Sequence, residues 1–141
     1  MNGATYSGEL FMSCGGVGRN IADCLTRLGS DPILLSAIGQ DASAQVVKKH
    51  CTHMDLSYLL ELPQSATSGY VGLLSEEGQL RAGVMNMDIH SQITADYVSK
   101  YEKEIKESSM VVIDGNLSAE TIDHVLALAG RYNVPGNAAL P

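Results

Sequence analysis

The stretch Cys14-Gly15-Gly16-Val17-Gly18-Arg19-Asn20-Ile21-Ala22-Asp23-Cys24-Leu25-Thr26-Arg27-Leu28-Gly29 decides how the rest of the chain is read. Glycines at 15, 16 and 18 tolerate positive φ and let bare backbone approach a ligand. An amphipathic helix begins directly behind them, with Ile21, Ala22, Leu25 and Leu28 on one apolar stripe. Gly29 stands where a left-handed C-cap ends such a helix. A glycine turn feeding a helix start offers free N–H groups and the positive end of the helix dipole to an oxygen-rich ligand. Arg19 and Asn20 are the polar side chains nearest to it.

Working outward, Pro32 to Gly39 is a short apolar run bounded by Asp31-Pro32 and Gly39, the pattern of a buried parallel strand. Asp41 is placed to cap a following helix whose stripe is Val46, Val47, His50 and Met54. This β–α alternation marks an α/β layer. It then breaks. Leu56 to Leu62 reads as an edge strand or a loop, and 66–75 and 79–84 flank Glu76-Glu77-Gly78 as an antiparallel hairpin. A hairpin inserted into such a layer is expected to project as a flap, with Met85 to His90 as its irregular return. Alternation resumes with a helix from Thr94 through Glu107, its shared face being Tyr97, Val98, Tyr101 and Ile105. A strand over 109–114 follows, then a helix capped by Ser118 with Ile122, Val125, Leu126 and Ala129 as its stripe. Asn133-Val134-Pro135 is expected to open a further strand that Gly136 to Pro141 does not continue. Met1 to Gly8 reads as a frayed end, and Glu9 to Ser13 as a short extended lead into the glycines.

Composition excludes several function classes. With 141 residues and a formal charge of −7, the chain lacks the basic face of an electrostatic nucleic-acid binder. No apolar run reaches a bilayer span and no basic-then-apolar leader opens the chain, so no membrane partner and a cytoplasmic location are expected. Cys14, Cys24 and Cys51 carry no CxxC spacing and read as reduced, mostly buried thiols. His50 and His53 are a helical i, i+3 pair without nearby further ligands, so no metal site is expected.

Ligands of open α/β sheets lie beyond the carboxyl ends of the strands. Gly39-Gln40-Asp41 and Asp114-Gly115-Asn116 are two such ends, and with Gly15, Gly16 and Asn20 they are expected to converge on one crevice under the flap. Asn116 offers a donor and an acceptor, which suits sugar hydroxyls. Asp114 is either a ligand group or a capping carboxylate, and Asp41 reads as a cap. A dinucleotide fingerprint G-x-G-x-x-G starting at Gly16 fails at its third position, where Ile21 stands.

Gly15 to Ala22, Leu28-Gly29 and Leu35 to Asp41 together resemble the first signature of the PfkB (ribokinase-like) carbohydrate kinases. The Val-Gly-Arg-Asn-Ile-Ala form and Met87-Asp88-Ile89-His90 resemble most the pseudouridine kinases of that family. The resemblance covers roughly 14–135. It implies a Rossmann-like three-layer α/β/α sandwich with a small β-hairpin lid at about 56–88. It also implies phosphoryl transfer from ATP, with Mg²⁺, to the 5′-hydroxyl of a ribosyl group, here pseudouridine or another small nucleoside or sugar. By position, Gly16 and Asn20 match the residues that hold the ribose hydroxyls, with Gly15 beside them as a further substrate-binding candidate. Asn116 matches a strand-end position facing substrate, and Thr67 and Asp88 are further candidates for contact. The sequence departs from the family pattern in two ways. No strand bearing a ribose-gripping carboxylate precedes Glu9, and the Gly-Ala-Gly-Asp run that supplies the catalytic base and anion hole is absent. The expectation is therefore a substrate-side portion of a kinase domain, without the ATP-binding half and inactive by itself, weakly stable or self-associating. The alternative is a non-catalytic ribosyl-binding or regulatory module that dimerises through the lid hairpin.

Overall fold

The computed structural model describes Thr5 and residues 7–139; most of the frayed end expected over Met1 to Gly8 lies outside them. Helix α1 (Val17–Arg27) starts directly behind Gly16, which sits at its N-cap with φ +90°, a conformation that favours glycine. The other end closes as expected: Gly29 takes φ +83°, its N–H donates to Thr26 O, and that of Ser30 donates to Leu25 O. Those two bonds form a Schellman C-cap. The apolar stripe of α1 is less covered than its pattern predicts. Ala22 is buried, but Leu28 is 76% exposed.

Strand β1 (Ser36–Ile38) is shorter than the apolar run that contains it, because its one strand partner among the described residues, β2 (Leu59–Glu61), faces just those three residues. Helix α2 (Ala42–His50) joins the two as a parallel crossover. Asp41 caps it through Ala44 N (2.8 Å). Of the expected stripe of α2 and the turn after it, Met54 is buried and Val47 packs against it, whereas Val46 and His50 are exposed; Ala44 and Cys51 are buried in addition. Since β2 lies against β1, the projecting part of 56–88 is the hairpin β3 (Gly69–Leu74) and β4 (Leu80–Asn86). A register shift after Leu73 bends it near the turn.

A 3-10 turn (Asp88–Gln92) leads to the expected long helix, which is two helices, α3 (Ala95–Ser99) and α4 (Glu102–Glu107), broken at Lys100-Tyr101. Its predicted face survives the break. Tyr97, Val98 and Ile105 are buried, and Tyr101 packs against them. Strand β5 (Val111–Asp114) then crosses through α5 (Ala119–Arg131) to β6 (Gly136–Ala139), parallel to β5. The expectation that Gly136 onward leaves the strand pattern is therefore corrected: a parallel neighbour supplies hydrogen bonds that outweigh the weak β-propensity of these residues. Of the predicted stripe of α5, Val125 and Ala129 are buried and Ile122 packs against the core, Leu126 is half exposed, and Thr121 and Leu128 complete the buried face. Buried Thr121 Oγ1 donates to Ile93 O (2.9 Å), which satisfies its hydroxyl and ties α5 to the approach of α3.

Two apolar clusters flank the strands. Ala37 of β1 and Ile113 of β5 share one with residues of α3, α4 and α5; Ala22, Cys51 and Met54, with Leu34 and Val47 against them, form the other. Helices thus lie on both faces of a strand layer, the α/β/α class expected. Among the described residues that layer is built from two separate parallel pairs, β1–β2 and β5–β6, each strand having one strand neighbour. The cysteines are less uniformly buried than expected: Cys51 is fully enclosed and Cys24 is exposed. Among the described residues no helix is long and apolar enough to cross a membrane.

Candidate functional site

The glycine turn lies at the N-terminal end of α1, and β5 delivers Asp114 to it. Gly18 N donates to Asp114 Oδ2 at 3.3 Å. The other carboxylate oxygen of Asp114 accepts from Asn116 N (2.9 Å) and Asn116 Nδ2 (2.7 Å). Asp114 therefore holds the helix start and the strand end together and orients Asn116, whose amide oxygen is left for a hydroxyl donor.

A second lock lies at the end of β1. Thr67 Oγ1 donates to Asp41 Oδ1 (2.7 Å) and accepts from Gly39 N (3.0 Å), while Thr67 N donates to Asp41 Oδ2 (2.8 Å). The Thr67 hydroxyl, followed by the backbone donors of Ala44 and Thr67, holds the Asp41 carboxyl below the ordinary carboxylate range. Gly39 packs so closely on Ser65 that a Cβ there would collide with its backbone carbonyl. Thr67 thus fastens the base of the hairpin to β1, with its hydroxyl hydrogen committed to Asp41.

Behind the turn, Arg19 and Asp23 form a charged cluster absent from the sequence reading. Asp23 accepts from Arg19 Nη1 (3.0 Å), Arg27 Nε (2.6 Å) and His53 Nε2 (2.6 Å). The His53 hydrogen bond, then those of Arg27 and Arg19, hold its carboxyl well below the usual range against the opposing cost of burial. The i, i+4 spacing of Arg19, Asp23 and Arg27 was visible in the sequence; the approach of His53 depends on the turn after α2. This pairing with Asp23 is what the structure shows for His53. Among the described residues no three His, Cys, Asp or Glu side chains group as metal ligands.

Gly15, Gly16, Thr67 and Asn116 line one cleft of about 2680 Å³, which runs between β1 and β5 and under the hairpin. That volume exceeds a small-molecule pocket several times over, so only part of it can be a ligand site. Asn20 stands one turn into α1, exposed and beside this cleft rather than among its lining residues, with its Oδ1 accepting from Arg19 Nη2. Asp88 lines a separate pocket of about 320 Å³ with Gln64, Asn86 and Gln92, so it is not brought to the glycine turn. The arrangement can present backbone and amide groups to a polyhydroxylated ligand. Among the described residues no three acidic side chains cluster, and the Gly18 N–H at the helix start is engaged by Asp114.

Comparison with known proteins identifies the family of the chain. A pseudouridine kinase of Escherichia coli strain K12 is 34% identical over 130 residues, covering 91% of this chain and 41% of that protein. One from Arabidopsis thaliana is 27% identical over 136 residues, covering 96% of this chain and 36% of its own length. The chain therefore spans well under half the length of these curated relatives. In fold it is similar to an Arabidopsis thaliana ribokinase solved with ribose and ATP, with a TM-score of 0.85 at 17% identity over 98% of this chain and 46% of that one. Residues 4–134 match the model of the pfkB family carbohydrate kinases, and with the glycine turn, the strand end and the hairpin in their observed places, the chain belongs to that family.

Proposed function

We propose that this chain is the ribosyl-recognising part of a pfkB-family kinase whose reaction is ATP-dependent phosphorylation of a ribosyl 5′-hydroxyl, with pseudouridine as substrate. The observation that carries the reading is the junction of the glycine turn with the end of β5, made by Gly18 N and Asp114. Gly15 and Gly16 offer close backbone approach to the sugar, Asn20 and Asn116 supply amide groups, and the hairpin covers the ligand. Similarity to two pseudouridine kinases supports the choice of nucleoside. ATP and Mg²⁺ belong to the proposed reaction, and the Gly-Ala-Gly-Asp run that would supply its base and anion hole does not occur in this sequence. Phosphoryl transfer depends on positioning and on neutralising charge at the transferred group, so the chain alone is expected to bind without turning over. Calorimetric titration with pseudouridine, uridine and D-ribose, paired with a transfer assay containing ATP and Mg²⁺, tests this. Binding of pseudouridine without product supports it, whereas turnover, or no binding of any of the three, overturns it.

A second reading rests on the hairpin. Tyr70, Val71, Leu73, Leu74, Val84 and Met85 are each more than half exposed. Apolar side chains concentrated on one projecting ribbon favour pairing with a second copy of the chain.

A further inference from the structure

We infer that Arg19 is a positioning residue for the ribosyl site: it clamps the glycine turn from behind and turns Asn20 into a hydrogen-bond donor. The inference rests on the ribosyl reading above. All five N–H donors of the Arg19 guanidinium are engaged. Nε donates to Gly15 O (2.9 Å) and Nη2 to Cys14 O (3.1 Å), so two successive carbonyls of the turn face one rigid fork. Nη2 also donates to Asn20 Oδ1, while Nη1 reaches Asp23 Oδ2 (3.0 Å) and, more distantly, the Sγ of buried Cys51 (3.9 Å). The Arg19 side chain is 12% exposed, which places the fork inside the protein rather than on its surface.

Three consequences follow from this geometry. With the carbonyls of Cys14 and Gly15 drawn back onto Arg19, the opposite side of the turn is free to approach a ligand. With Oδ1 of Asn20 occupied, its Nδ2 hydrogens remain, so Asn20 acts toward a sugar as a donor to a hydroxyl oxygen. Asp23, itself tied to Arg27 and His53, anchors the fork to the segment after α2. Lysine cannot substitute, because a point-charge ammonium with three donors does not span these acceptors in one plane.

The test compares Arg19→Met, Arg19→Lys, Asp23→Asn and, as a control that touches Asp23 but not the turn, Arg27→Met. Hydrogen exchange at Gly18 and Asn20, whose N–H bonds depend on the position of the turn, is the readout that needs no ligand; Ile113 and Val125 report the core. Exchange at Gly18 and Asn20 is expected to quicken by about tenfold or more in both Arg19 variants, with the core amides unchanged. Such a factor is typical of losing hydrogen bonds from a charged donor. The Kd for pseudouridine is expected to rise by a similar factor, and Arg27→Met is expected to leave both readouts at the wild-type level. Unchanged exchange in the Arg19 variants overturns the inference, as does equal loosening by Arg27→Met. If Arg19→Met does not fold, Arg19→Lys and Asp23→Asn carry the same comparison. Absence of pseudouridine and ribose binding by the wild type would sink the ribosyl reading, while the exchange data would still decide the clamp.

Discussion

The backbone N–H of Gly18 and the carboxylate of Asp114 meet at 3.3 Å across 96 positions of sequence, joining the first helix to the second parallel pair. Asp114 also gathers the N–H and side-chain amide of Asn116. Replacing Asp114 with alanine leaves three donors to find water. We expect a loss on the order of 1–2 kcal/mol in urea unfolding, the range for hydrogen bonds to a partly exposed charged group. Asparagine, which keeps one carbonyl oxygen, should cost less. Equal stability of Asp114→Ala and wild type would show that the junction is incidental.

Gly39 and Gly15 should respond oppositely to the same change. A Cβ on Gly39 would strike the Ser65 backbone, whereas nothing lies within 4 Å of one on Gly15. Gly39→Ala is expected to destabilise by about 1–3 kcal/mol, as overpacking against an immobile neighbour does. Gly15→Ala should stay within about 0.5 kcal/mol of wild type, as an unobstructed surface substitution does. Matching melting temperatures for the two variants would contradict the close approach at the end of β1.

Asp23 gives the fold a defined acid sensitivity. Its folded-state affinity for a proton is lowered, chiefly by the His53 hydrogen bond and then by Arg27 and Arg19. The stability it lends is therefore complete above the unfolded carboxylate value of about 3.9, and is lost as pH falls further toward the folded value. Urea midpoints of wild type and Asp23→Asn should differ at neutral pH and draw together below about pH 4. A gap of constant size from pH 7 to pH 3 would assign the effect of the substitution to something other than the charge.

The hairpin predicts concentration-dependent behaviour. Val71 is 73% exposed and Val84 70%, and they face each other as a cross-strand pair. Sedimentation of wild type is expected to shift with concentration, and Val71→Lys with Val84→Lys to abolish the shift with little change in melting temperature. A wild type that stays monomeric throughout would remove the second reading.

Much of this was legible because local chemistry carried it. The caps at Asp41, Thr94 and Ser118 sit where the sequence places them, since each needs only a side-chain oxygen reaching an N–H of its own first turn. The hairpin and the left-handed Gly29 are equally local. Whatever depended on a distant partner was read poorly. β1 shrank to the length of β2, and β6 formed from residues with no strand pattern because β5 lies beside them. The helical stripes of α2 and α5 were right at Met54, Val125 and Ala129 but wrong at Val46, His50 and Leu126 for the same reason: the neighbouring layer, not the period alone, decides how far the buried side extends. At the site, Asn116 and the two glycines were found on one cleft, while Asp88 was not. The cluster around Asp23 escaped notice because its third partner, His53, comes from another element.

The division of the strand layer also bears on how the chain acquires its structure. β1–α2–β2 and β5–α5–β6 are each closed by their own parallel pairing, and among the described residues no strand bridges one to the other. Ala37 and Ile113, by contrast, enter the same apolar cluster only when both units stand side by side. The order of events we expect is two crossover units forming separately, each over a modest loop, followed by a docking step that completes the core. Pulse-labelled amides of β1 and β5 gaining protection in a single concerted phase would rule that order out.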